Sequence, residues 1–209
     1  MEDPSLPEAE LDRAYGGLAR THRVLGTARA IVRAIRRDRQ PVRRVLDIGC
    51  GRGDLLAEIR VRLGVEAVGI DLRPPAGARV PVIQADAVRD ALPACDVAIT
   101  ACTAHHLSED ELIALIRNVG RSARRFILLD LVRHPLPLVL FRAFLGSMLP
   151  AISVWDGCLS IRRSWTPAEL RVLVGMALEG TTASFRHRVA MLYTRQIVEI
   201  DFHALSRQY

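Results

Sequence analysis

The sequence predicts an α/β protein whose core is a doubly wound parallel sheet. From residue 43 onward, β-rich runs alternate with helical patterns, and the first of these runs ends in a glycine-rich turn. Strands that alternate with helices form parallel sheets through right-handed crossovers. The 209 residues are enough for one domain, and 50% apolar with 25% charged residues is the composition of a globular protein.

The expected elements follow in chain order. Residues 1–40 should form a helical lid or cover, because apolar residues between Leu18 and Ile35 fall on one helical face. Residues 41–209 should form the main domain. Strands are predicted at 43–48, 65–70, 80–84, 96–101 and 125–131, and helices at 54–63, 109–119, 136–149 and 167–177.

The C-terminal part of the chain completes this pattern. Residues 150–165 are predicted to form a loop, and residues 181–202 two β-rich segments of an antiparallel hairpin. The helix between them has a clear start, since Thr166 is a good N-cap, Pro167 suits the first helical position and Glu169 completes a capping box.

The basic residues are unusual because all 29 of them are arginine, with a net charge of +6. The lack of lysine excludes a P-loop, which needs Gly-Lys-Ser/Thr, and also Schiff-base chemistry. Nine arginines and one aspartate lie in residues 20–44. We interpret this run as the solvated face of a packed helix, with an RNA or acidic-protein surface as the alternative. Complete replacement of lysine is a compositional bias, so the positive charge says little about partners.

Cysteine spacing and hydropathy suggest the compartment. No Cys-x-x-Cys spacing relates the four cysteines, so no zinc or redox motif is indicated at Cys50, Cys95, Cys102 or Cys158. The beginning of the sequence shows no basic and apolar leader, and prolines and Arg142 interrupt the most apolar stretch, residues 135–155. We therefore expect a cytoplasmic protein without a membrane span.

The most informative segment runs from Val45 to Gly53 with the sequence Val-Leu-Asp-Ile-Gly-Cys-Gly-Arg-Gly. A strand leads into glycines at every second position, which allow the backbone to approach a ligand closely. The dinucleotide fingerprint has its third glycine one position later. The carboxylate of Asp47 would also serve a pyrophosphate poorly. The segment therefore favours a ligand with an ammonium or sulfonium group over a nicotinamide cofactor.

Two further acids are placed at the ends of the next two strands. Asp71 ends the run Gly-Ile-Asp, where a carboxylate can accept both hydroxyls of a ribose. Asp86 follows the third strand, where an acid can accept from an adenine amino group and the N–H of Ala87 can meet a ring nitrogen. Three such acids around one glycine-rich turn indicate an adenosine that carries a cationic amino-acid tail.

Together these motifs resemble those of class I S-adenosylmethionine-dependent methyltransferases, over about residues 43–135. Residues 104–107, Ala-His-His-Leu, are similar to the segment that follows the fourth strand in small-molecule members of the family. The resemblance implies a Rossmann-like, seven-stranded sheet of order 3-2-1-4-5-7-6 with strand 7 antiparallel, plus the N-terminal helices. It also implies S-adenosylmethionine as cofactor and S-adenosylhomocysteine as product.

The resemblance assigns roles to the matching residues. Residues 49–51 would contact the methionine part, and residues 100–103 would face the sulfonium and the acceptor. Residues 15–23 would form a lid, with Tyr15, Arg20 or His22 near the methionine carboxylate. The implied cofactor-binding residues are Asp47, Gly49, Cys50, Gly51, Gly53, Asp71, Leu72, Asp86, Ala87, Thr100 and Cys102.

His105 and His106 are the candidates for a catalytic base, which an oxygen acceptor would need in order to lose its proton. The alternative is that this pair orients the loop and hydrogen-bonds the backbone. His134 is a further candidate, and Asp130 is expected to cap or brace the end of the fifth strand. Metal-dependent catechol-type methyltransferases place acidic ligands after the fourth strand, which here ends Thr-Ala-Cys, so no metal is expected.

The acceptor is expected to be a small molecule that is methylated on oxygen. The apolar segment 135–155 follows the fifth strand, where the family places acceptor-binding structure, and would suit an aromatic or lipid-like acceptor. A helix in the core is the alternative interpretation. Residues 18–26 and 156–167 resemble small bacterial methyltransferases of natural-product and lipid-like polyketide pathways.

Two other functions remain open from the sequence. One is an RNA or protein methyltransferase that docks through the arginine-rich helix, and the other is a methyltransferase-like binding module without catalysis. No Asn-Pro-Pro-Tyr motif follows the fourth strand, so nucleic acid is not the expected partner. A homodimer is compatible with the sequence.

Overall fold

The computed structural model describes residues 8–145 and 151–202. Seven strands form a single sheet in the order β3-β2-β1-β4-β5-β7-β6. Neighbouring strands are parallel except that β7 runs antiparallel to β5 and β6. This confirms the predicted fold class and strand order. The strands are β1 (Arg44–Ile48), β2 (Glu66–Asp71), β3 (Val82–Gln84), β4 (Cys95–Ala101), β5 (Ala123–Asp130), β6 (Ser184–Val189) and β7 (Gln196–Asp201).

Helices cover both faces of the sheet. The α-helices of the described residues are α1 (Glu8–Val24), α2 (Thr27–Ile35), α3 (Asp54–Leu63), α4 (Glu109–Val119), α5 (Pro135–Leu140), α6 (Ala151–Arg163) and α7 (Pro167–Leu178). Helices α2 and α3 bury their apolar faces in one core cluster, and α4 and α7 bury theirs in another on the opposite face. The N-terminal helix α1 contacts α2 and α3.

Strand β5 lies in the middle of this sandwich and is buried on both faces. Phe126 and Leu128 pack on the side of α4 and α7, whereas Ile127 and Leu129 pack on the side of α2 and α3. A continuous apolar run is the pattern expected for a parallel strand covered on both sides. The predicted bounds of α3 and α4 coincide with the observed ones. The predicted capping box of Thr166 and Glu169 is also present.

The N-terminal helical pattern is interrupted, which corrects the single apolar face expected from Leu18 to Ile35. Gly26 has a φ of 63° and separates α1 from α2. Val24, which the sequence pattern assigned to the buried face, is 62% exposed. The left-handed conformation at Gly26 changes the direction of the chain between α1 and α2, so the apolar residues of the two helices do not lie on one continuous face.

The loop predicted at residues 150–165 is wrong, because residues 151–163 form α6. Glycine and serine lower the helix propensity of this segment, but tertiary packing outweighs propensity. A Cβ at Gly157 would lie 2.3 Å from the ring of Phe141, so α6 lies directly on the π-helical turn Phe141–Leu145 that continues α5. The predicted helix 136–149 thus begins as expected, and residues 146–149 lie outside the described residues.

Candidate functional site

The glycine-rich turn lies at the carboxyl end of β1, between the first turn of α3 and the loop that follows β4. Gly49 has a φ of 71°, and a Cβ at this position would lie 2.5 Å from Cγ2 of Thr103. Gly51 and Gly53 also have left-handed backbone conformations. Only glycine can hold this turn without strain and without displacing Thr103. The N–H groups of Gly49 and Cys50 donate to the carbonyl of Ile70 at 2.8 and 3.2 Å, so the turn is folded against β2, and the lack of side chains at its glycines allows a ligand to approach closely.

Cys50 packs its thiol against the second strand. A Cβ at Gly69 would lie 2.3 Å from Sγ of Cys50, so the side chain fills the space that a larger residue at 69 would need. Burial, followed by the nearby charges of Asp47 and Asp71, raises the pKa of the Cys50 thiol. The thiol is therefore neutral, and Cys50 contributes packing and backbone groups to the turn.

Asp71 is tied to the glycine-rich turn by its own carboxylate. The N–H of Gly51 donates to Oδ2 at 2.7 Å, and the N–H of Arg73 donates to Oδ1 at 3.0 Å. These bonds hold the carboxylate at the end of β2, in the place predicted for a ribose-binding acid. Leu72, the next residue, is exposed at the same edge.

Asp47 is the electrostatically unusual member of the site. Asp47 is 2% exposed. Burial, and then repulsion from Asp71, raises the pKa of Asp47 to about 8. Burying a carboxylate beside a like charge is costly. A cationic group of a ligand would relieve that cost.

The third acid, Asp86, lies two residues beyond β3, in the loop that follows this strand. Its Oδ1 accepts from the N–H of Val88 at 2.9 Å, and its own N–H donates to Asp90 at 2.8 Å. Asn118 of α4 holds the loop from below, since its Nδ2 donates to the carbonyls of Ala87 and Asp90 at 2.9 and 2.8 Å. The sequence signal for Asn118 was a polar residue on a buried helical face.

The end of β4 contributes a buried hydroxyl and a strained cysteine. Thr100 donates its hydroxyl to the carbonyl of Ile48 at 2.9 Å, so this side chain joins β4 to β1. Cys102 has a φ of 56°, which is rare for a residue with a Cβ. Its thiol is neutral because burial, and then the charge of Asp130, raises its pKa.

The two histidines after β4 have different surroundings. His105 is buried, and its Nδ1 lies 2.8 Å from Oδ1 of Asp130, while its backbone N–H donates to Oδ2 at 2.8 Å. Among the described residues, Nε2 of His105 is buried and has no hydrogen-bond partner. His106 is exposed, and the two ring centroids are 4.2 Å apart. His105 therefore has an orienting carboxylate, which is the arrangement of a base that is held in position by a third group.

The lid residues predicted in α1 are placed only in part. His22 is largely buried against Thr27, with Nδ1 and Oγ1 3.2 Å apart, and burial lowers the pKa of His22 to about 4. His22 is therefore neutral and supports the α1–α2 junction. Arg20 is exposed, and the side chain of Tyr15 lies outside the described ones.

The part of the arginine-rich run that follows α2 lies away from the rim that carries the glycine-rich turn. Arg36 donates to the carbonyl of Arg62 near the end of α3, and Arg37 lies 3.5 Å from the buried carboxylate of Glu199. Because α2 runs against the direction of β1, its last turn and the arginines after it lie at the opposite edge of the sheet. A nucleic acid held by these arginines would therefore lie at the edge opposite the cofactor.

Apolar side chains remain exposed on the structure that follows β5. Phe144 and Trp155 are 70% and 66% exposed. Neither residue belongs to the two core clusters, and among the described side chains of residues 135–155 only that of Pro137 is buried. His134 caps α5, because its Nδ1 accepts from the N–H of Leu136 at 3.1 Å.

Sequence reasoning missed the turn between β6 and β7. Gln196 begins β7 beside Asp130 and is completely buried, and its amide donates to the carbonyls of Leu131 and Trp165 at 3.0 and 2.8 Å. The preceding residue, Arg195, donates to the carbonyl of Leu25 at 2.6 Å. No sequence motif indicates these residues, because their contacts depend on the antiparallel pairing of β5 with β7, which are far apart in the sequence.

The described residues contain neither a membrane-spanning helix nor a candidate metal site. No helix among them is long and apolar enough to cross a membrane. Likewise, no three histidine, cysteine, aspartate or glutamate residues of the described segments form a group that could hold a metal ion.

The fold and the arrangement of acids around the glycine-rich turn define the class I S-adenosylmethionine-dependent methyltransferases. A family model described as a methyltransferase domain matches residues 20–132, which is more than half of the chain. The chain therefore belongs to this methyltransferase family. No curated protein matches the chain by sequence.

Solved structures share the fold at low sequence identity. The plantazolicin methyltransferase BpumL in complex with SAH aligns with 97% of this chain and 92% of its own, with 14% identity and a TM-score of 0.71. Human N-acetylserotonin methyltransferase in complex with SAM aligns with 95% of this chain and 57% of its own, with 15% identity and a TM-score of 0.65.

The mitomycin 7-O-methyltransferase MmcR aligns with 82% of this chain and 52% of its own, with 17% identity and a TM-score of 0.58. This chain thus spans about half the length of the mitomycin and N-acetylserotonin enzymes and nearly all of BpumL. S-adenosylmethionine or its product occupies two of these three structures, which confirms the cofactor predicted for the fold.

Proposed function

We propose that this protein transfers a methyl group from S-adenosylmethionine to an oxygen of a small, hydrophobic or aromatic acceptor. The observation that carries the proposal is the buried Asp47, whose pKa is raised by burial and by Asp71 and which lies beside the glycine-rich turn. A ligand with a cationic tail is the natural partner of such a group.

The residues present fit this cofactor. Asp47 would meet the ammonium of the methionine part, and the backbone of residues 49–51 would line the same end. Asp71, already oriented by two backbone N–H groups, would accept the ribose hydroxyls. The loop at Asp86 and Ala87, which Asn118 fixes, would hold the adenine. The remaining predicted contacts with the cofactor are those of Gly53, Leu72, Thr100 and Cys102. These residues would contact the cofactor along the same edge of the sheet without contributing a charged group.

When it is bound, the cofactor supplies an electrophilic methyl group on a sulfonium. The chain supplies alignment and a dry site, which are the main contributions to such an in-line displacement. His105 takes the proton from the acceptor oxygen at Nε2, because Asp130 fixes the ring through Nδ1. Leaving a buried Nε2 without a partner costs about 1–3 kcal/mol, a cost that a catalytic role would explain. His106 shields His105 from solvent by ring contact.

Residues 1–40 serve as the cover of the site, and residues 41–209 form the catalytic unit. The contacts of α1 with α2 and α3 support this role, since both of these helices begin at the cofactor edge. The left-handed Gly26 provides a joint at which α1 can move relative to α2.

The acceptor contacts the apolar structure after β5, where Phe144 and Trp155 are exposed. The similarity to mitomycin 7-O-methyltransferase and to plantazolicin methyltransferase supports an acceptor of the natural-product type. Transfer to oxygen agrees with a histidine at the reacting edge whose ring is held by a carboxylate.

Isothermal titration calorimetry with S-adenosylmethionine and S-adenosylhomocysteine tests the proposal. The wild type should bind both in the micromolar range, on the order of −8 kcal/mol. Asp71→Ala should abolish binding, because it removes the predicted ribose ligand and the acceptor of the Gly51 N–H. Asp110→Ala, which removes an exposed carboxylate of α4, is the matched control and should bind like the wild type. A wild type that binds neither compound would refute the proposed function.

A further inference from the structure

The turn that joins β6 to β7 projects beyond the carboxyl edge of the sheet, next to the reacting edge. Strand β7 runs antiparallel to β5 and starts opposite Asp130, so Arg195, the residue before it, lies directly beyond the end of β5. The side chain of Gln196 points to the face of α4 and α7. Arg195 therefore points to the opposite face, where its bond to Leu25 places it beside the α1–α2 junction.

Arg195 is a half-buried cation without a carboxylate. One guanidinium nitrogen donates to the carbonyl of Leu25, and no aspartate or glutamate in the described part of the chain forms an ion pair with it. By contrast, Arg124, Arg125 and Arg188 are paired with Asp38 or Glu199. A guanidinium has five N–H donors, so most of the hydrogen-bonding capacity of Arg195 is unused within these residues.

The charge of Arg195 acts on the site. It opposes the effects of burial and of Asp130 on the pKa of the Cys102 thiol at the end of β4. Burial in turn lowers the pKa of Arg195 from its ordinary value, which reflects the cost of removing this cation from water. An anion at this position would offset that cost.

The rest of the turn provides a rigid apolar and aromatic surface. Leu192 and Tyr193 both have left-handed backbone conformations, with φ of 64° and 54°. Residues with a side chain hold this conformation only where the surrounding structure requires it, and such strain clusters at functional sites. The ring of Tyr193 stacks on His134 with centroids 4.5 Å apart and an angle of 12° between the planes.

We propose that Arg195 is a specificity residue that binds an anionic group of the methyl acceptor. The inference deepens the proposed function and rests on it. The acceptor is then an aromatic or apolar molecule that carries a carboxylate or a sulfonate-like group as well as the oxygen that is methylated. The guanidinium binds the anion, and the turn that bears Tyr193 forms one wall of the acceptor site. The planar fork of arginine suits such a group, because two parallel N–H donors can meet its two oxygens.

A pair of fluorescent dyes tests this assignment without knowledge of the acceptor. The probes are 1-anilinonaphthalene-8-sulfonate, an aromatic anion, and N-phenyl-1-naphthylamine, which is the same molecule without the sulfonate. Both are titrated into the full chain in the presence of S-adenosylhomocysteine. The variants are Arg195→Gln, which removes the charge, and Arg195→Lys, which keeps the charge and loses the fork. Arg60→Gln, on the exposed last turn of α3, is the matched control.

The wild type should bind the anionic dye more tightly than the neutral one. Arg195→Gln should weaken the anionic dye about tenfold or more, as expected for the loss of a charge-assisted hydrogen bond, and should leave the neutral dye within about twofold. Arg195→Lys should lie between Arg195→Gln and the wild type. Thermal unfolding of each variant shows whether the loss of the bond to Leu25 has affected the fold, and the neutral dye reports the integrity of the site.

Four results would overturn the inference: an unchanged affinity of Arg195→Gln for the anionic dye, equal losses for both dyes, an equal loss in Arg60→Gln, or no preference of the wild type for the anionic dye. The affinity for S-adenosylhomocysteine is measured in parallel by calorimetry. This measurement distinguishes a failure of the assignment of Arg195 from a failure of the proposed function. If the wild type binds the product but shows no dependence on Arg195, only the specificity assignment is wrong.

Discussion

Asp130 holds His105 by both its ring and its backbone. The Nδ1 atom and the backbone N–H of His105 each lie 2.8 Å from one oxygen of the carboxylate, and Asp130 itself is completely buried. Because the carboxylate of Asp130 accepts from both groups, the ring proton lies on Nδ1 and the lone pair on Nε2. Asp130, at the end of β5, thus decides which nitrogen of His105 can act as a base.

The arrangement predicts the tautomer of His105. Nitrogen chemical shifts in NMR spectra of the wild type should show His105 protonated at Nδ1 when it is neutral. Asp130→Asn should lose this preference and lower the free energy of unfolding by about 1–3 kcal/mol, because a buried network is broken. His106→Asn should leave the tautomer unchanged. A wild-type His105 protonated at Nε2 would contradict its assignment as the base.

The close approach of Gly49 to Thr103 predicts a selective loss of cofactor binding. Gly49→Ala places a Cβ 2.5 Å from Cγ2 of Thr103 on a backbone with a φ of 71°. We expect the affinity for S-adenosylhomocysteine to fall at least about tenfold and the protein to lose about 1–3 kcal/mol of stability. Gly64→Ala is the matched control, because its φ is 66° and the space for its Cβ is open. It should cost stability and leave the affinity unchanged, so equal affinities for both variants would argue against the turn as the binding site.

The raised pKa of Asp47 predicts that the stability of the protein falls as the pH rises. Its pKa is raised to about 8 in the folded protein, so the folded state keeps a proton that the unfolded state loses near pH 4. The stability that Asp47 contributes is fully present below about pH 4 and is lost as the pH rises through about 8. Relative to Asp47→Asn, which does not titrate, the wild type should therefore become less stable between these limits.

The measurement is the difference in Tm between wild type and Asp47→Asn across that range. As the pH rises, the Tm of the wild type should fall by several degrees relative to the Tm of Asp47→Asn. Using the difference removes the contribution of His22, whose pKa is lowered and which therefore destabilises the fold as the pH falls. Melting curves that stay parallel at every pH would show that Asp47 is ionised in the folded protein, as an ordinary exposed aspartate is.

Asn118 should affect adenine binding through the loop that it supports. Asn118→Leu removes both hydrogen bonds to the carbonyls of Ala87 and Asp90. We expect a loss of about 1–3 kcal/mol in stability and a several-fold loss of S-adenosylhomocysteine affinity. Ser122→Ala, which removes a hydroxyl bonded to the carbonyl of Val119 far from the site, should reduce stability only slightly and leave the affinity unchanged. An affinity of Asn118→Leu equal to that of the wild type would mean that the loop does not bind the adenine.

Local signals predicted much of this fold. The bounds of α3 and α4 follow from apolar periodicity with clear starts and ends, and the order of the sheet follows from the resemblance of the motifs around β1, β2 and β4. The segment of α6 was missed because its glycine and serines suggest a loop, whereas contact of Gly157 with the ring of Phe141 stabilises a helix.

The sequence could indicate those candidate site residues whose expected role depends only on their residue type and their position at the end of a strand. Asp47 and Asp71 occur at strand ends, and a sequence alone shows an acid there. Asn118 and Arg195 were missed because their roles arise from contacts between elements that are far apart in the chain. The partnership of His105 with Asp130 likewise appears only when β4 and β5 are placed side by side.

The central claim is that the site binds an adenosine with a cationic amino-acid tail, and that Asp47 binds the cation. Calorimetry with S-adenosylhomocysteine and with 5′-methylthioadenosine, which lacks the amino-acid part, tests it most directly. We predict that the wild type binds the former at least about tenfold more tightly, and that Asp47→Asn removes most of this difference while its affinity for 5′-methylthioadenosine is maintained. An equal preference in the wild type and in Asp47→Asn, or the absence of binding to either compound, would contradict the account.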